Sequence, residues 1–185
     1  MALRLTHLLA LALALLAAPL AQAQNWKPSK PVTIIVPWPA GGSTDELTRL
    51  TAAELEKHLG QKLVVVNQPG ASGAAGTRKA LEAPRDGYTW TAGAVQDLTS
   101  ITDWHLFLSV ANLPLDEGRA RPDGKANYFG IFVPKGVPPH VVATVDRIWG
   151  DHIMRADTLR KYAASRGALF APMTGQDAQK AAAAK

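Results

Sequence analysis

The sequence predicts an α/β protein with a mainly parallel sheet and flanking helices. Three short runs of mostly β-branched residues alternate with helical patterns, and glycine-rich loops join the first two runs to the helices that follow. Parallel strands need crossover helices, so the alternation itself predicts the parallel arrangement. The composition agrees with a folded core, because 47% of the 185 residues are hydrophobic. The absence of cysteine excludes a disulfide scaffold.

Residues 1–23 are predicted to be a secretory signal peptide. Arg4 precedes an apolar run over residues 8–18, and Pro19 leads to a small-residue exit that ends at Ala23. The run is shorter than the roughly 20 apolar residues that cross a bilayer, so the pattern favours cleavage after Ala23 over a membrane span. We therefore expect a periplasmic protein.

The first predicted unit is a strand, a glycine loop and a helix. Residues 31–36 form a β-branched run that ends at a proline, and a helical pattern follows the loop. Ser43 or Thr44 is a natural N-cap, and Asp45 lies where the helix dipole favours an acid. Gly60 supplies the stop. The first unit is thus well defined at both ends.

The same pattern repeats along the chain. A second strand over residues 63–66 leads into a glycine loop at 70–73 and a short alanine-rich helix that ends near Glu82. The turn signal Asp86-Gly87 precedes a third strand at 88–92. Three strands interleaved with helices complete the argument for the α/β class.

The remaining chain is less regular. Residues 101–112 are apolar and ambiguous between strand and helix, and residues 113–126 mix charges with prolines and glycines as an exposed linker does. Beyond the linker we expect a strand, two helices, a short strand and a frayed tail, at residues 128–133, 138–153, 158–165, 168–170 and 181–184.

The two glycine loops, at residues 40–44 and 70–73, are the candidate ligand site. The first N–H groups of a helix have no intrahelical partner, and the dipole places about half a positive charge there. Glycines let an anion approach those N–H groups, and serine or threonine hydroxyls supplement them. In an open α/β sheet such loops lie at the carboxyl ends of the strands. Ordinary tight turns remain the alternative.

Other functions find little support in the residues. Neither loop completes a nucleotide-binding motif, and the formal charge of +5 suits capture of small anions as well as it suits keeping the protein in solution. Helix-borne His58, His140 and His152 lie beside charged residues, and His105 stands alone, so no histidine pair has metal-ligand spacing. We predict no catalytic residue, metal or cofactor, and no nucleic-acid partner.

Two residues of the first loop keep alternative roles. Asp45 is better explained as a carboxylate at a helix start than as a general base. Trp38 either packs on a ligand or wedges between the loop and the core. The sequence does not decide between these two placements.

Five segments carry a resemblance to a known family. They are residues 30–37 running into 40–45, then 59–61, 65–73, 86–89 and 130–138. In order and spacing these segments resemble the extracytoplasmic solute-binding proteins of tripartite tricarboxylate transporters, also called the Bug or TctC type.

The resemblance implies a lobe of the type II periplasmic-binding-protein fold. Members of the family have two lobes that close on an organic acid and deliver it to membrane permease subunits. They hold the ligand carboxylate between backbone N–H groups and hydroxyls. The matching ligand-binding positions in this sequence are Trp38, Pro39, Ala40, Gly41, Gly42, Ser43, Thr44, Asp45, Gly70, Ala71, Ser72 and Gly73.

This sequence also differs from the family pattern, because few residues lie between the segments that flank the second lobe in family members. We assign residues 24–94 to the first part of lobe one, 95–127 to a truncated second-lobe region with a linker, and 128–185 to the returning part of lobe one. A lobe has the size of a small domain, so most of the second one is expected to be missing. Carboxylate binding is then expected to be weakened, because the ligand stays half solvated.

A second hypothesis is a degenerate single-lobe interaction module without a transport role. In that case the apolar stretch from Leu106 to Leu108, which normally leads into the second lobe, exposes apolar surface and drives dimerisation.

Overall fold

The computed structural model describes residues 25–112 and 126–184. The predicted signal peptide and nearly all of the predicted linker, residues 113–125, lie outside the described residues. The described strands are β1 (Val32–Val36), β2 (Leu63–Asn67), β3 (Thr89–Ala94), β4 (Trp104–Asn112), β5 (Asn127–Pro134) and β6 (Leu169–Thr174). The described α-helices are α1 (Ser43–Leu59), α2 (Ala74–Glu82), α3 (Pro139–Asp151), α4 (Asp157–Ser165) and α5 (Gly175–Ala183).

The described strands form one mixed sheet in the order β2-β1-β3-β5-β4-β6. β1 pairs in parallel with β2 and β3, whereas β5 runs antiparallel to both β3 and β4, and β4 runs antiparallel to β6. The predicted α/β class with flanking helices is confirmed. The expectation of a mainly parallel sheet holds for the first three strands only, because β5 inserts between β3 and β4 in the opposite direction.

Helices cover both faces of the sheet. One apolar cluster joins α1, α3 and α4 to the face that carries Ile34, Trp90 and Phe107. A second cluster joins α2 and α5 to the face that carries Ile35 and Phe132. Because the central strands are buried on both sides, β4 and β5 contain continuous apolar runs at 106–108 and 131–133 rather than a strict alternation.

Strand β4 resolves the ambiguous apolar run. Leu106, Phe107 and Leu108 are at most 2% exposed, because β4 lies between β5 and β6 and is covered on both faces. The expected exposed surface for dimerisation at these residues is therefore wrong. A register shift between Leu108 and Val110 interrupts the pairing, and the Trp149 indole N–H donates to the Leu108 carbonyl there at 2.9 Å.

The connection from β4 to β5 starts and ends at the same end of the strands, where β3 also ends. Asn112 and Asn127 are register partners, and Ala94, the last residue of β3, pairs with Phe129 nearby. Part of the region that we assigned to the truncated second lobe, Trp104–Asn112, thus belongs to the same sheet as β1, β2 and β3. The chain leaves and re-enters this sheet where β1, β2 and β3 end.

The C-terminal residues extend the fold further than the sequence predicted. Helix α5 continues to Ala183, and Ala178 and Ala182 are buried against the second face of the sheet. The predicted fraying of residues 181–184 is therefore wrong for all but the last of them. Among the described helices, none combines the length and the apolar character that a membrane crossing requires.

His58 and His152 form a stacked pair that joins the end of α1 to the end of α3. Their ring centroids are 3.5 Å apart, and the ring planes differ by 6°. Burial and the charge of His152 lower the pKa of His58, with a further contribution from Lys57, while Glu54 acts in the opposite direction. Because the folded-state pKa of His58 is below its unfolded value, the contribution of neutral His58 to the stability of the fold is complete above about pH 6.5. That contribution is lost as the pH falls and the ring becomes protonated.

We expect the variant His58→Gln to be less sensitive to acid than the wild type. Between pH 7.5 and 5 the wild type should lose about 0.5 kcal/mol more stability than the variant, a small effect because both rings are exposed. Urea denaturation at a series of pH values measures the difference. His140→Gln, an exposed histidine at the start of α3, should follow the wild type. Parallel curves for wild type and His58→Gln would contradict the prediction.

Candidate functional site

Three loops meet at the carboxyl edge of β1, β2 and β3. They are residues 37–42 after β1, 68–73 after β2, and a short turn, Val95–Asp97, after β3. A Cβ atom on Gly73 would lie 3.6 Å from Cζ2 of Trp38 and 3.7 Å from Cβ of both Pro37 and Asp97. The structure therefore brings the two predicted glycine loops together and adds a third loop to them.

Asp45 is buried and holds the first loop in place. Its Oδ2 accepts hydrogen bonds from the Gly41 N–H at 2.9 Å and from Arg49 Nε at 3.1 Å, and its Oδ1 accepts one from Asn67 Nδ2 at 2.9 Å. Burial by itself raises the pKa of Asp45, but these hydrogen bonds and the charge of Arg49 outweigh it and lower the pKa to about 2. The negative charge of Asp45 is balanced by Arg49. The Gly41 N–H already donates to Asp45 and is therefore not free to bind a ligand.

Asn67, at the end of β2, fastens the second strand to the first loop. Besides its bond to Asp45, its Nδ2 donates to the Trp38 carbonyl at 3.0 Å, and its Oδ1 accepts from Arg49 Nη2 at 3.1 Å. The candidate list from the sequence omitted Asn67. The sequence feature that could have identified Asn67 is its position at the carboxyl end of β2, the strand next to β1.

Trp38 lies between the first loop and the core. Its Nε1 donates to Oδ2 of Asp97 at 2.9 Å, and the same oxygen accepts the Ala94 N–H at 3.0 Å. The ring packs against the edge of the main apolar cluster and is half-buried. This contact agrees with the wedge between loop and core, while packing of Trp38 on a ligand stays a prediction. Asp97, which the sequence did not single out, fixes the indole.

The second loop has an unusual backbone. Gly70, Ala71, Ser72 and Gly73 all have positive φ angles, of 140°, 47°, 52° and 91°. For Ala71 and Ser72 the left-handed conformation costs roughly 1–2 kcal/mol per residue. Both side chains are exposed, so no packing of their own offsets this cost. Strained backbone of this kind is concentrated at ligand-binding and catalytic sites.

The start of α1 presents unpaired backbone N–H groups at the same edge. Gly42 is the N-cap, in place of the predicted Ser43 or Thr44, and no described side chain caps the helix. The first helical hydrogen bond runs from the Glu46 N–H to the Gly42 carbonyl at 3.0 Å. The preceding N–H groups, including those of exposed Ser43 and half-buried Thr44, have no partner within the helix. They are available to an anion.

The C-terminal half of the chain braces this helix start. The Tyr162 hydroxyl on α4 donates to the Ser43 carbonyl at 3.1 Å, and Arg166 pairs with Glu46. Residues far apart in sequence therefore fix the direction of the Ser43 and Thr44 backbone. The remaining loop residues, Pro39 and Ala40, are exposed beside them.

Comparison with known proteins adds a sequence relative and a fold. No family model matches the chain. Protein BugT of Bordetella pertussis is 47% identical over 62 residues, which cover 34% of this chain and 19% of that protein. The TctC solute-binding protein from Polaromonas superposes with a TM-score of 0.64 at 19% identity, over 84% of this chain and 96% of that chain. The chain is therefore similar to Bug proteins in part of its sequence and to TctC-type solute-binding proteins in its fold.

The sequence match covers only part of these relatives. The chain spans about a fifth of the length of the curated relatives that it matches, 20% of one and 19% of another. A further structural neighbour is MatC of Rhodopseudomonas palustris, solved with bound malate, with a TM-score of 0.59 at 17% identity over 77% of this chain and 90% of that chain. At such identities the likeness establishes the fold.

Proposed function

We propose that this chain is a periplasmic solute-binding protein that captures a small organic acid at the carboxyl edge of β1, β2 and β3. The observation that carries the proposal is the meeting of the two glycine loops, with Gly73 against Trp38. In this proposal the uncapped N–H groups at the start of α1 and the exposed Ser72 loop bind one anion from two sides. The carboxylate ligand of the neighbour MatC, malate, supports this chemistry.

Backbone dipoles rather than side-chain cations supply the attraction. Arg49 balances Asp45 in an ion pair at 3.0 Å, so this pair leaves the first loop close to neutral. An anion at the edge is then held by N–H groups, by the dipole of α1 and by hydroxyls such as that of Ser43. Such a site discriminates little between carboxylic acids, because each N–H recognises only the carboxylate.

The proposed role is delivery of the acid to the membrane permease of a tripartite tricarboxylate-type transporter, as a binding protein and not as an enzyme. We further propose that the second lobe is truncated and that binding is weak. A ligand covered from one side keeps much of its hydration, and charge-assisted hydrogen bonds are weaker in water than in a closed cleft.

Calorimetric titration of the chain from Gln24 onwards with citrate, succinate, glutamate and nicotinate tests the proposal. We expect a dissociation constant between about 10 μM and 10 mM for at least one acid, the range of weak binding. No binding of any of the four at 10 mM would contradict the carboxylate site. Sub-micromolar affinity would contradict the proposed truncation instead, because it requires a ligand enclosed from both sides.

Removing a hydroxyl from either loop should weaken binding of the acid identified by that titration. We expect Ser43→Ala and Ser72→Ala each to raise the dissociation constant about fivefold, which corresponds to ~1 kcal/mol for one hydrogen bond. Ser29→Ala is the matched control, because Ser29 is exposed and contacts Tyr88 at the opposite end of the sheet. Equal weakening in all three variants, or none in either loop variant, would contradict the assignment.

A further inference from the structure

A cavity lies at the opposite end of the sheet from the glycine loops. It has a volume of about 450 Å³ and opens between the beginning of β4, the end of β5, helix α3 and the start of α5. His105 on β4 pairs with Val133 near the end of β5, and Phe107 pairs with Thr174 at the end of β6. This volume is in the range of small-molecule sites.

The cavity combines an apolar interior with a charged rim. Half-buried Val142 contributes apolar surface, Leu106 and Phe107 are almost fully buried in the wall, and the lysines Lys135 and Lys180 contribute positive charge. A ligand with an apolar body and a polar end matches this division, since the body can leave water while the charged end stays near the rim.

The charges of the wall favour a single negative charge on the ligand. Lys135 and Lys180 are exposed, and among the described residues neither has a carboxylate within 4.0 Å. Asp146 is the acidic residue of the lining, and it accepts a hydrogen bond from the Thr174 hydroxyl. Two lysines against one aspartate attract a monoanion, whereas a second negative charge would approach Asp146.

Neutral donors complete the polar end of the cavity. The Thr174 hydroxyl donates to Asp146 and does not cap α5, so the first N–H groups of that nine-residue helix, which begins at Gly175 in the cavity lining, have no side-chain cap among the described residues. His105 is half-buried, and burial together with the charge of Lys135 lowers its pKa, so its ring is a neutral hydrogen-bonding group near pH 7.

From this arrangement we infer that the cavity binds a small organic monoanion with an apolar body, an aromatic carboxylate being the simplest case. The carboxylate lies between Lys135, Lys180 and the start of α5, and the ring lies against Val142. This site is separate from the carboxyl edge and does not depend on the function proposed there.

Amide chemical-shift perturbation on the chain from Gln24 onwards, titrated with benzoate, tests the inference. The expected result is saturable shifts at His105, Lys135 and Gly175 with a dissociation constant below about 1 mM, and at least fivefold weaker binding of uncharged benzamide. Shifts confined to residues 41–44 and 70–73 would overturn the inference and would instead place benzoate in the site at the carboxyl edge. Equal binding of benzoate and benzamide would also overturn it.

A double variant identifies the cations. Lys135→Gln with Lys180→Gln should weaken benzoate binding at least fivefold, while Lys161→Gln, an exposed lysine on α4 outside the cavity, should leave it within twofold of the wild type. Because all three lysines are exposed, the variants are expected to fold. Equal loss in the double variant and in Lys161→Gln, or no loss in either, would show nonspecific attraction and overturn the inference.

Discussion

Replacing Gly130 with alanine is expected to lower the free energy of unfolding by about 3 kcal/mol, at the upper end of the usual cost of overpacking a core. A Cβ at this position would lie 2.1 Å from the carbonyl oxygen of Phe107 and 2.8 Å from Cα of Leu108. Both atoms are backbone, so no rotamer change relieves the clash, and β4 would have to separate from β5. Urea denaturation followed by circular dichroism measures the loss.

Gly150→Ala is the matched control for this substitution. Gly150 lies within α3, and a Cβ there would have no neighbour within 4 Å. The exchange should raise the free energy of unfolding by about 0.5–1 kcal/mol, because alanine favours a helix more than glycine does. Effects of the same sign at Gly130 and Gly150 would contradict the close approach of β4 and β5.

The variant Asp45→Asn is expected to lose about 2 kcal/mol of stability at pH 7. The pKa of Asp45 falls from 3.8 to about 2 in the folded state, and each pKa unit corresponds to ~1.4 kcal/mol. The amide keeps the shape of the side chain but loses the charge that Arg49 and the Gly41 N–H stabilise. Thermal and urea denaturation at pH 7 measure the effect.

The pH dependence of the stability difference distinguishes the effect of the Asp45 charge from an effect of side-chain packing. The contribution of Asp45 is complete above its unfolded pKa of 3.8 and is lost as the pH falls through its folded pKa of about 2. The stability difference between wild type and Asp45→Asn should therefore shrink between pH 5 and pH 2. Asp151→Asn, an exposed residue at the end of α3, should stay within about 0.5 kcal/mol of the wild type. A difference that persists unchanged at pH 2 would contradict the assignment to charge.

The fold was predictable where local pattern decides the structure. The β-branched run of β1, the stop at Gly60 and the turn at Gly87 all lie where the sequence placed them. The order of the strands was not predictable, because the position of β5 between β3 and β4 depends on pairing between distant segments. Strand β4 was ambiguous because its apolar side chains face both layers and a bulge beside Ser109 breaks their alternation.

The candidate site was predictable in its loops but not in its supports. Gly41 and Gly73 are recognisable because glycine tolerates positive φ, and both adopt it. The roles of Asn67 and Asp97 depend on where their side chains reach across to the Trp38 loop, which no local pattern encodes. Asp45 was correctly interpreted as a carboxylate at a helix start, whereas its bond to the Gly41 N–H follows only from the folded loop.

The pairing of Asn112 with Asn127 has a consequence for how such a fold can change in size. Two register partners lie about 5 Å apart, so the sheet already holds both ends of whatever segment joins them. The entropy of closing a loop grows only with the logarithm of its length, about 0.6 kcal/mol for each doubling. Segments of very different length, from a short connection to a whole domain, can therefore be exchanged at this point for a small change in free energy, without altering a strand of the sheet.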